Sequence, residues 1–305
     1  MMESTRDGFG KGLLALGRNK NVVVLSADLS ESTRAIWFKE KYPERYIECG
    51  VAEQNLMGVA AGLALSGKIP YACSFAVFSP GRNWAQIRVS VCYSGANVKI
   101  ASTHAGISTG ADGATHQALE DIAITRCLPN MTVVVPCDSL EAEKATIAVS
   151  KIKGPCYLRL GREKFPVITT KKTPFKIGKA NIMRKGKDVT VIACGMIVNE
   201  ALKAAEQLKK ISVRVINCHT IKPIDKNIII KAARETKAIV TAEEHNIYGG
   251  LGSAVAEIVS ENHPVPIKRV GIKDKFGESG SPKELLKKYG LTDKEIINAI
   301  RDVLR

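Results

Sequence analysis

Apolar runs with few interruptions recur along this chain: NVVVLSA over 21–27, IPYACSF over 69–75, TVVV over 132–135 and VTVIA over 189–193. A strand with one wet face alternates apolar and polar side chains, so a run that is apolar almost throughout suits a strand covered on both faces. The segments between them suit helices, over 7–18, 31–41, 80–93 and 118–126, another from Glu53, and one reaching 151 from the capping pair Asp138 and Glu141. Shorter runs at 46–49, 98–102 and 156–160 add strands. This alternation argues for an α/β chain with doubly wound, mainly parallel sheets. Residues 162–188 interrupt it, being basic, holding Pro166 and Pro174 and lacking a helical period. A second set of strands (189–193, 213–217, 238–242, 267–270) and helices (197–211, 225–236, 251–262, and a last one opened by Thr292 and Glu295) follows. With 305 residues the chain has room for two ordinary domains. They are expected at 1–168 and 186–305, with a linker over 169–185.

Lys and Arg outnumber Asp and Glu by 45 to 30, a net charge of +15. Such a balance suits nucleic acid or anionic metabolites. The lysines are scattered (151 and 153, 171 and 172, 209 and 210, 287 and 288), with no dense basic arm or aromatic ladder, so nucleic acid is not an expected partner. No apolar run approaches the roughly 20 residues of a membrane span. The polar start MMESTRDGFGKG has no signal-peptide core. The eight cysteines form no CxxC and read as reduced, mostly buried small hydrophobes. The expectation is a cytoplasmic protein without a membrane segment or a metal site of its own.

In doubly wound sheets, ligands gather beyond the carboxyl ends of the strands. Asp28 follows the first run, Glu53 the second, and Phe75 and Phe78 the third. His104 follows the fourth, in the loop THAGISTGADGATHQ, which also carries Asp112 and His116. Glu53 opens a helix rich in small residues, Gly58, Ala60, Ala61, Gly62 and Ala64. A helical Gly costs about 1 kcal/mol against Ala, so two of them suggest close approach to another surface. No Lys or Arg lies between Arg45 and Lys68 to pair with Glu53. It is either a first-turn carboxylate stabilising the helix start or a carboxyl group in apolar surroundings, able to hold or share a proton. A lone histidine after a strand is commonly structural. Two of the chain's five, with an Asp and three glycines inside 104–116, suit proton transfer and hydroxyl recognition. Glu243, Glu244 and His245 end a strand of the second unit with no assigned role beyond capping.

The strings SADLSESTR (26–34), YIECGVAEQNLMGVAAGLA (46–64), CSFAVF (73–78), STHAGISTGADGATHQALEDIA (102–123), LPNMTVVVPCDSLEA (128–142) and LRLGREKFP (158–166) together resemble the C-terminal half of transketolase, a thiamine diphosphate enzyme family. The match runs in order through the first domain and continues in layout through the second. It implies a pyrimidine-binding domain followed by the transketolase C-terminal domain. The resemblance gives Glu53 a hydrogen bond to a ring nitrogen of the cofactor's aminopyrimidine, promoting loss of the thiazolium proton. It makes Phe75 and Phe78 the aromatic pocket around that ring, and sets Asp28 near the cofactor at a subunit boundary. His104, Asp112 and His116 match positions that bind and deprotonate the sugar. Arg162 matches a substrate-phosphate ligand, a task suited to a planar donor fork. Catalytic roles thus fall to Glu53, His104 and His116. In one departure, Gly81 stands where many members have a Tyr, with Arg82 or Trp84 available for that space.

The family holds a divalent metal, here taken as Mg2+, and the cofactor's diphosphate with a GDG…N motif on its other half. The similar triplet here, Ala111-Asp112-Gly113, lies in a different context with no Asn at the right distance. The resemblance therefore implies a split enzyme. This chain would join a separate N-terminal transketolase subunit in an α2β2 assembly and transfer a two-carbon ketol unit from a ketose phosphate to an aldose phosphate. Competing readings are the beta subunit of a 2-oxoacid dehydrogenase, which would lack ADGATHQALED, and a 1-deoxyxylulose-phosphate synthase, normally one long chain. A basic nucleic-acid-binding α/β protein is the reading from a different class.

Overall fold

The computed structural model describes residues 1–305. Its strands are β1 (Met2–Glu3), β2 (Val22–Ser26), β3 (Tyr46–Glu48), β4 (Ile69–Phe75), β5 (Lys99–Thr103), β6 (Thr132–Val134), β7 (Cys156–Arg159), β8 (Phe165–Pro166), β9 (Asn181–Arg184), β10 (Val189–Ala193), β11 (Val213–Asn217), β12 (Thr220–Lys222), β13 (Ile239–Asn246) and β14 (Ile267–Ile272). The helices are α1 (Thr5–Leu16), α2 (Ser30–Thr33), α3 (Ile36–Lys41), α4 (Glu53–Leu65), α5 (Trp84–Gln86), α6 (Asp121–Arg126), α7 (Ser139–Val149), α8 (Ile197–Gln207), α9 (Lys226–Glu235), α10 (Leu251–Asn262), α11 (Pro282–Lys288) and α12 (Asp293–Val303).

Seven strands form one sheet in the order β12-β6-β7-β5-β4-β2-β3, and five form another in the order β14-β13-β10-β11-β9. Pairing within these two sheets is parallel except at β12 on β6 and β9 on β11, and β1 and β8 form a separate antiparallel pair. The α/β, doubly wound reading of the sequence therefore holds, and for the reason given. Strands β2, β5 and β10 are buried at every position, as runs covered on both faces must be. The chain leaves β2 for β3 at one edge and leaves β4 for β5 on the opposite side. The carboxyl ends of β2 and β4 thus flank the point where the winding reverses, the place where such sheets bind ligands.

Several local features differ from the sequence reading. The helix expected over 31–41 is two short ones, because Arg34 takes a left-handed conformation (φ 68°) between them. The one expected over 80–93 starts as α5 and continues as a π-helix over Ile87–Tyr93. Residues 181–184, within the expected linker, form β9 against β11. Strand β12, from the second half of the chain, completes the edge of the first sheet. The halves also share a hydrophobic cluster in which Val133 and Val135 of the first meet Ile192, Cys194 and Ile216 of the second. Gly58 and Gly62 on α4 are exposed, and nothing lies within 4 Å of where their Cβ atoms would be. The close approach their presence suggests is not made to any part of this chain.

Candidate active site

Glu53 is the first residue of α4 and is 3% exposed. Its carboxylate has only long contacts, Ser74 Oγ to Oε1 and Arg82 Nη1 to Oε2, both at 3.5 Å. A buried carboxylate normally accepts several good hydrogen bonds. This one keeps acceptor capacity for a group that is not part of the chain's own packing. The sequence offered it no nearby cation; the turn after β4 supplies Arg82 from 29 positions downstream. The same turn holds Gly81. A Cβ there would lie 2.0 Å from the Val77 carbonyl oxygen, so this backbone admits no side chain. Trp84 turns inward, its indole N–H donating to Ile124 O at 2.8 Å. Arg82 lies on the aromatic wall, with its guanidinium 4.5 Å from the Phe78 ring centre.

The aromatic wall continues from there. Phe78 stacks on Phe75 with ring centres 6.0 Å apart, and Phe75 stacks on His104 at 3.7 Å. His116 meets Phe78 edge-on at 5.3 Å. His104 immediately follows β5 in the left-handed region (φ 56°), which turns its ring from the strand onto Phe75. Its Nδ1 is 2.8 Å from Thr103 Oγ1, and that of His116 is 2.9 Å from Thr115 Oγ1. Each histidine thus has Nε2 left over for a ligand.

Phe75, His104, Asp112, His116 and Arg162 line one cleft of about 700 Å³. Five of the eight residues singled out from the sequence are therefore neighbours, and Phe78 and Glu53 extend the group through Phe75 and Arg82. Asp28 stands apart. It is exposed, left-handed (φ 59°) and outside the cleft lining, with its N–H bonded to Glu48 Oε1 at 2.7 Å. Arg162 and Asp112 pair with each other at 2.9 Å, and Arg162 also donates to Thr109 O at 3.2 Å.

Arg6 and Arg34 also line this cleft, and the sequence reading missed both. Arg34 is paired with Asp7 at 2.6 Å. Arg6 is brought in by the N-terminus: Ser4 and Asp7 form a capping box for α1, and Thr5 Oγ1 accepts the Gly161 N–H at 2.7 Å. The helix was expected only from 7, and neither this capping box nor the docking of α1 beside the end of β7 was read from the sequence. The three arginines outnumber the two carboxylates of the lining, Glu31 and Asp112. Burial first, and then Arg6, Arg162, His116 and Arg34, hold His104 far below the usual imidazole range, at about 2. It is a neutral imidazole that can accept a proton or a hydrogen bond.

Residues 2–167 match the model of the transketolase pyrimidine binding domain, and residues 178–296 that of the transketolase C-terminal domain. The chain belongs to the transketolase family. It is 46% identical to a transketolase C-terminal section from Methanocaldococcus jannaschii, over 98% of this chain and 96% of that protein. A solved split gene transketolase, described as an inactive beta4 tetramer, superposes with a TM-score of 0.93 at 48% identity, covering 99% of this chain and 98% of that one. Rat transketolase is 38% identical over 99% of this chain but only 49% of its own length. Membership brings thiamine diphosphate as the cofactor class and transferase chemistry as the activity class. No support singles out the 2-oxoacid dehydrogenase or 1-deoxyxylulose-phosphate synthase readings. No helix is long and apolar enough to cross a membrane.

Proposed function

We propose that this chain is the C-terminal subunit of a split transketolase that moves a two-carbon ketol unit from a ketose phosphate to an aldose phosphate. The observation that carries the proposal is the buried, under-bonded Glu53 carboxylate at one end of an aromatic wall whose other end is the His104–His116 cleft. A carboxyl group with only long contacts of its own, beside two aromatic faces, fits a flat aminopyrimidine with whose ring nitrogen it can share a proton. When bound, thiamine diphosphate supplies the electron sink for two-carbon transfer. Glu53 would hold the pyrimidine nitrogen, Phe75 and Phe78 would fix the ring plane, and Asp28 would face the cofactor from the subunit boundary. His104 and His116 would exchange protons with sugar hydroxyls through Nε2. Asp112 would orient the sugar, and Arg162 with Arg6 would take its phosphate. The Asp112–Arg162 pair would open as phosphate competes for the guanidinium.

In this reading the pyrimidine-binding domain spans 1–168 and the C-terminal domain 186–305, and the 169–185 connector contributes β9. The partner is an N-terminal transketolase subunit that carries the GDG…N motif and holds Mg2+ and the diphosphate, in an α2β2 assembly in the cytoplasm. Support comes from the half-length match to rat transketolase and from exposed Gly58, Gly62, Val51 and Leu65 on and beside α4, a face smooth enough for close packing. The test is reconstitution. The purified chain with cofactor and magnesium should show no ketol transfer, and adding the N-terminal subunit should restore it. Full activity of the chain alone would falsify the proposal.

A further inference from the structure

The loop that carries His104, Asp112 and His116 is held by the second half of the chain. Glu244 in β13 is buried, and its Oε1 accepts the Ser108 N–H at 2.6 Å. The same carboxylate fills the space beside Gly106 (φ 89°), where a Cβ would come within 2.3 Å of Glu244 Cδ. Thr109 then ties the loop back, its Oγ1 donating to His104 O at 2.7 Å. Around this point, Arg159 Nη2 donates to Glu244 O at 2.9 Å while Arg159 pairs with Asp121 at 2.7 Å. Asn246 N–H reaches Leu119 O at 2.8 Å, and Gln117 Nε2 reaches Glu278 O at 2.9 Å. The capping expected of the Glu-Glu-His run belongs to Glu243 alone, whose oxygens accept from Leu251 and Gly252 N–H at 2.7 Å.

We infer that Glu244 is a positioning residue for His104, through which the second domain sets the geometry of the proton-transfer loop. A carboxylate-to-amide bond is among the stronger hydrogen bonds, and out of water it has no competing partner. Burial pushes the Glu244 carboxyl up, while Arg159 and the Ser108 N–H oppose the shift. Gly106 lets the loop close over this acceptor. Without that acceptor, the segment after His104 loses its side-chain hydrogen bond to β13, and the left-handed turn at His104 is no longer held from behind. The geometric part of this inference concerns the chain itself; its catalytic consequence rests on the transketolase reading above.

The first test uses the isolated chain with selectively labelled histidines, of which there are five. The Phe75 ring, 3.7 Å from His104, shifts the His104 resonances by its ring current and so reports their relative geometry. Glu244→Ala should move the His104 signal, and Glu244→Gln, which keeps a carbonyl acceptor, should return it towards wild type. His219, stacked on Phe175, should stay in place and certify the fold. Should the Ala variant not fold, Glu244→Asp, which withdraws the acceptor by one methylene, applies the same test. A His104 signal that stays at its wild-type position in a folded variant overturns the inference. The second test uses the reconstituted enzyme. Misplacement of a reacting group by about 1 Å costs on the order of 100-fold. Glu244→Asp should therefore lower kcat by about 10- to 100-fold, with KM and thiazolium proton exchange near wild type. Wild-type kcat in that variant overturns the inference. Absence of ketol transfer in the wild-type assembly would overturn the transketolase reading alone, and the resonance test would still decide the role of Glu244.

Discussion

Arg82 meets Glu53 at the end of the aromatic wall, with Nη1 3.5 Å from Oε2 and the guanidinium 4.5 Å from the Phe78 ring centre. A flat cation thus rests on the two surfaces, a carboxylate and an aromatic face, that an aminopyrimidine would use. The side chain is 55% exposed, and contacts of this kind are worth about 0–1 kcal/mol. We expect Arg82→Ala to lower the half-saturating thiamine diphosphate concentration of the reconstituted enzyme by about two- to fivefold. Titrating activity against cofactor measures this. A rise instead would mean that Arg82 helps to hold the cofactor.

Glu53→Gln should fold normally, because the two contacts it weakens are long. It should lose most catalysis, because an amide has no acidic proton to share with the pyrimidine nitrogen. The readout is proton exchange at the reactive thiazolium carbon. Exchange at the wild-type rate would remove Glu53 from the mechanism.

His104→Ala and His116→Ala should behave differently. Thiazolium exchange should persist while ketol transfer falls by about 10²–10⁴-fold, the usual loss for an acid–base group. Normal turnover in both variants would make these histidines structural.

The unfolded chain protonates His104 near the ordinary 6.5, whereas the folded chain does so only at about 2. Between those values the unfolded state binds more protons, so stability falls as pH drops below 6.5. From pH 6.5 to 5 this one group should remove about 2 kcal/mol. His104→Asn, which tolerates the left-handed turn, should flatten the fall in melting temperature over that window. Equal slopes for the two proteins would show that His104 can charge in place.

Arg162→Ala should raise KM for a phosphorylated acceptor. A hydrogen bond between charged groups is worth about 1.5–3 kcal/mol, or about 10- to 150-fold in affinity. Arg6→Ala should act in the same direction, because both line the cleft. An unphosphorylated acceptor is the control, and equal losses on both acceptors would point to a structural role at the end of β7.

Much of the fold was written locally. The apolar runs at 21–27, 69–75 and 189–193 are strands because a fully buried strand tolerates no polar alternation. Asp138 caps α7 by accepting the Glu141 N–H at 2.8 Å, as the pair suggested. Glu141 goes elsewhere, to Cys137 N–H and, across to the second unit, Asn217. The site followed the same division. Phe75 and His104 were found because they end neighbouring strands, and parallel pairing sets such ends side by side.

The sequence by itself determined the order of the main buried strands and the longer helices, the family motifs and the residue types at the strand ends, since each depends on burial pattern or on short-range chemistry. Only the tertiary structure decided which distant groups meet. It brought Arg82 to Glu53, Arg6 and Arg34 to the cleft, β12 to the edge of the first sheet and Glu244 to Ser108. These contacts join segments separated by up to 156 positions, and they arise from tertiary packing rather than from any local preference. A periodicity records which face of an element is buried; it carries no record of what lies against that face.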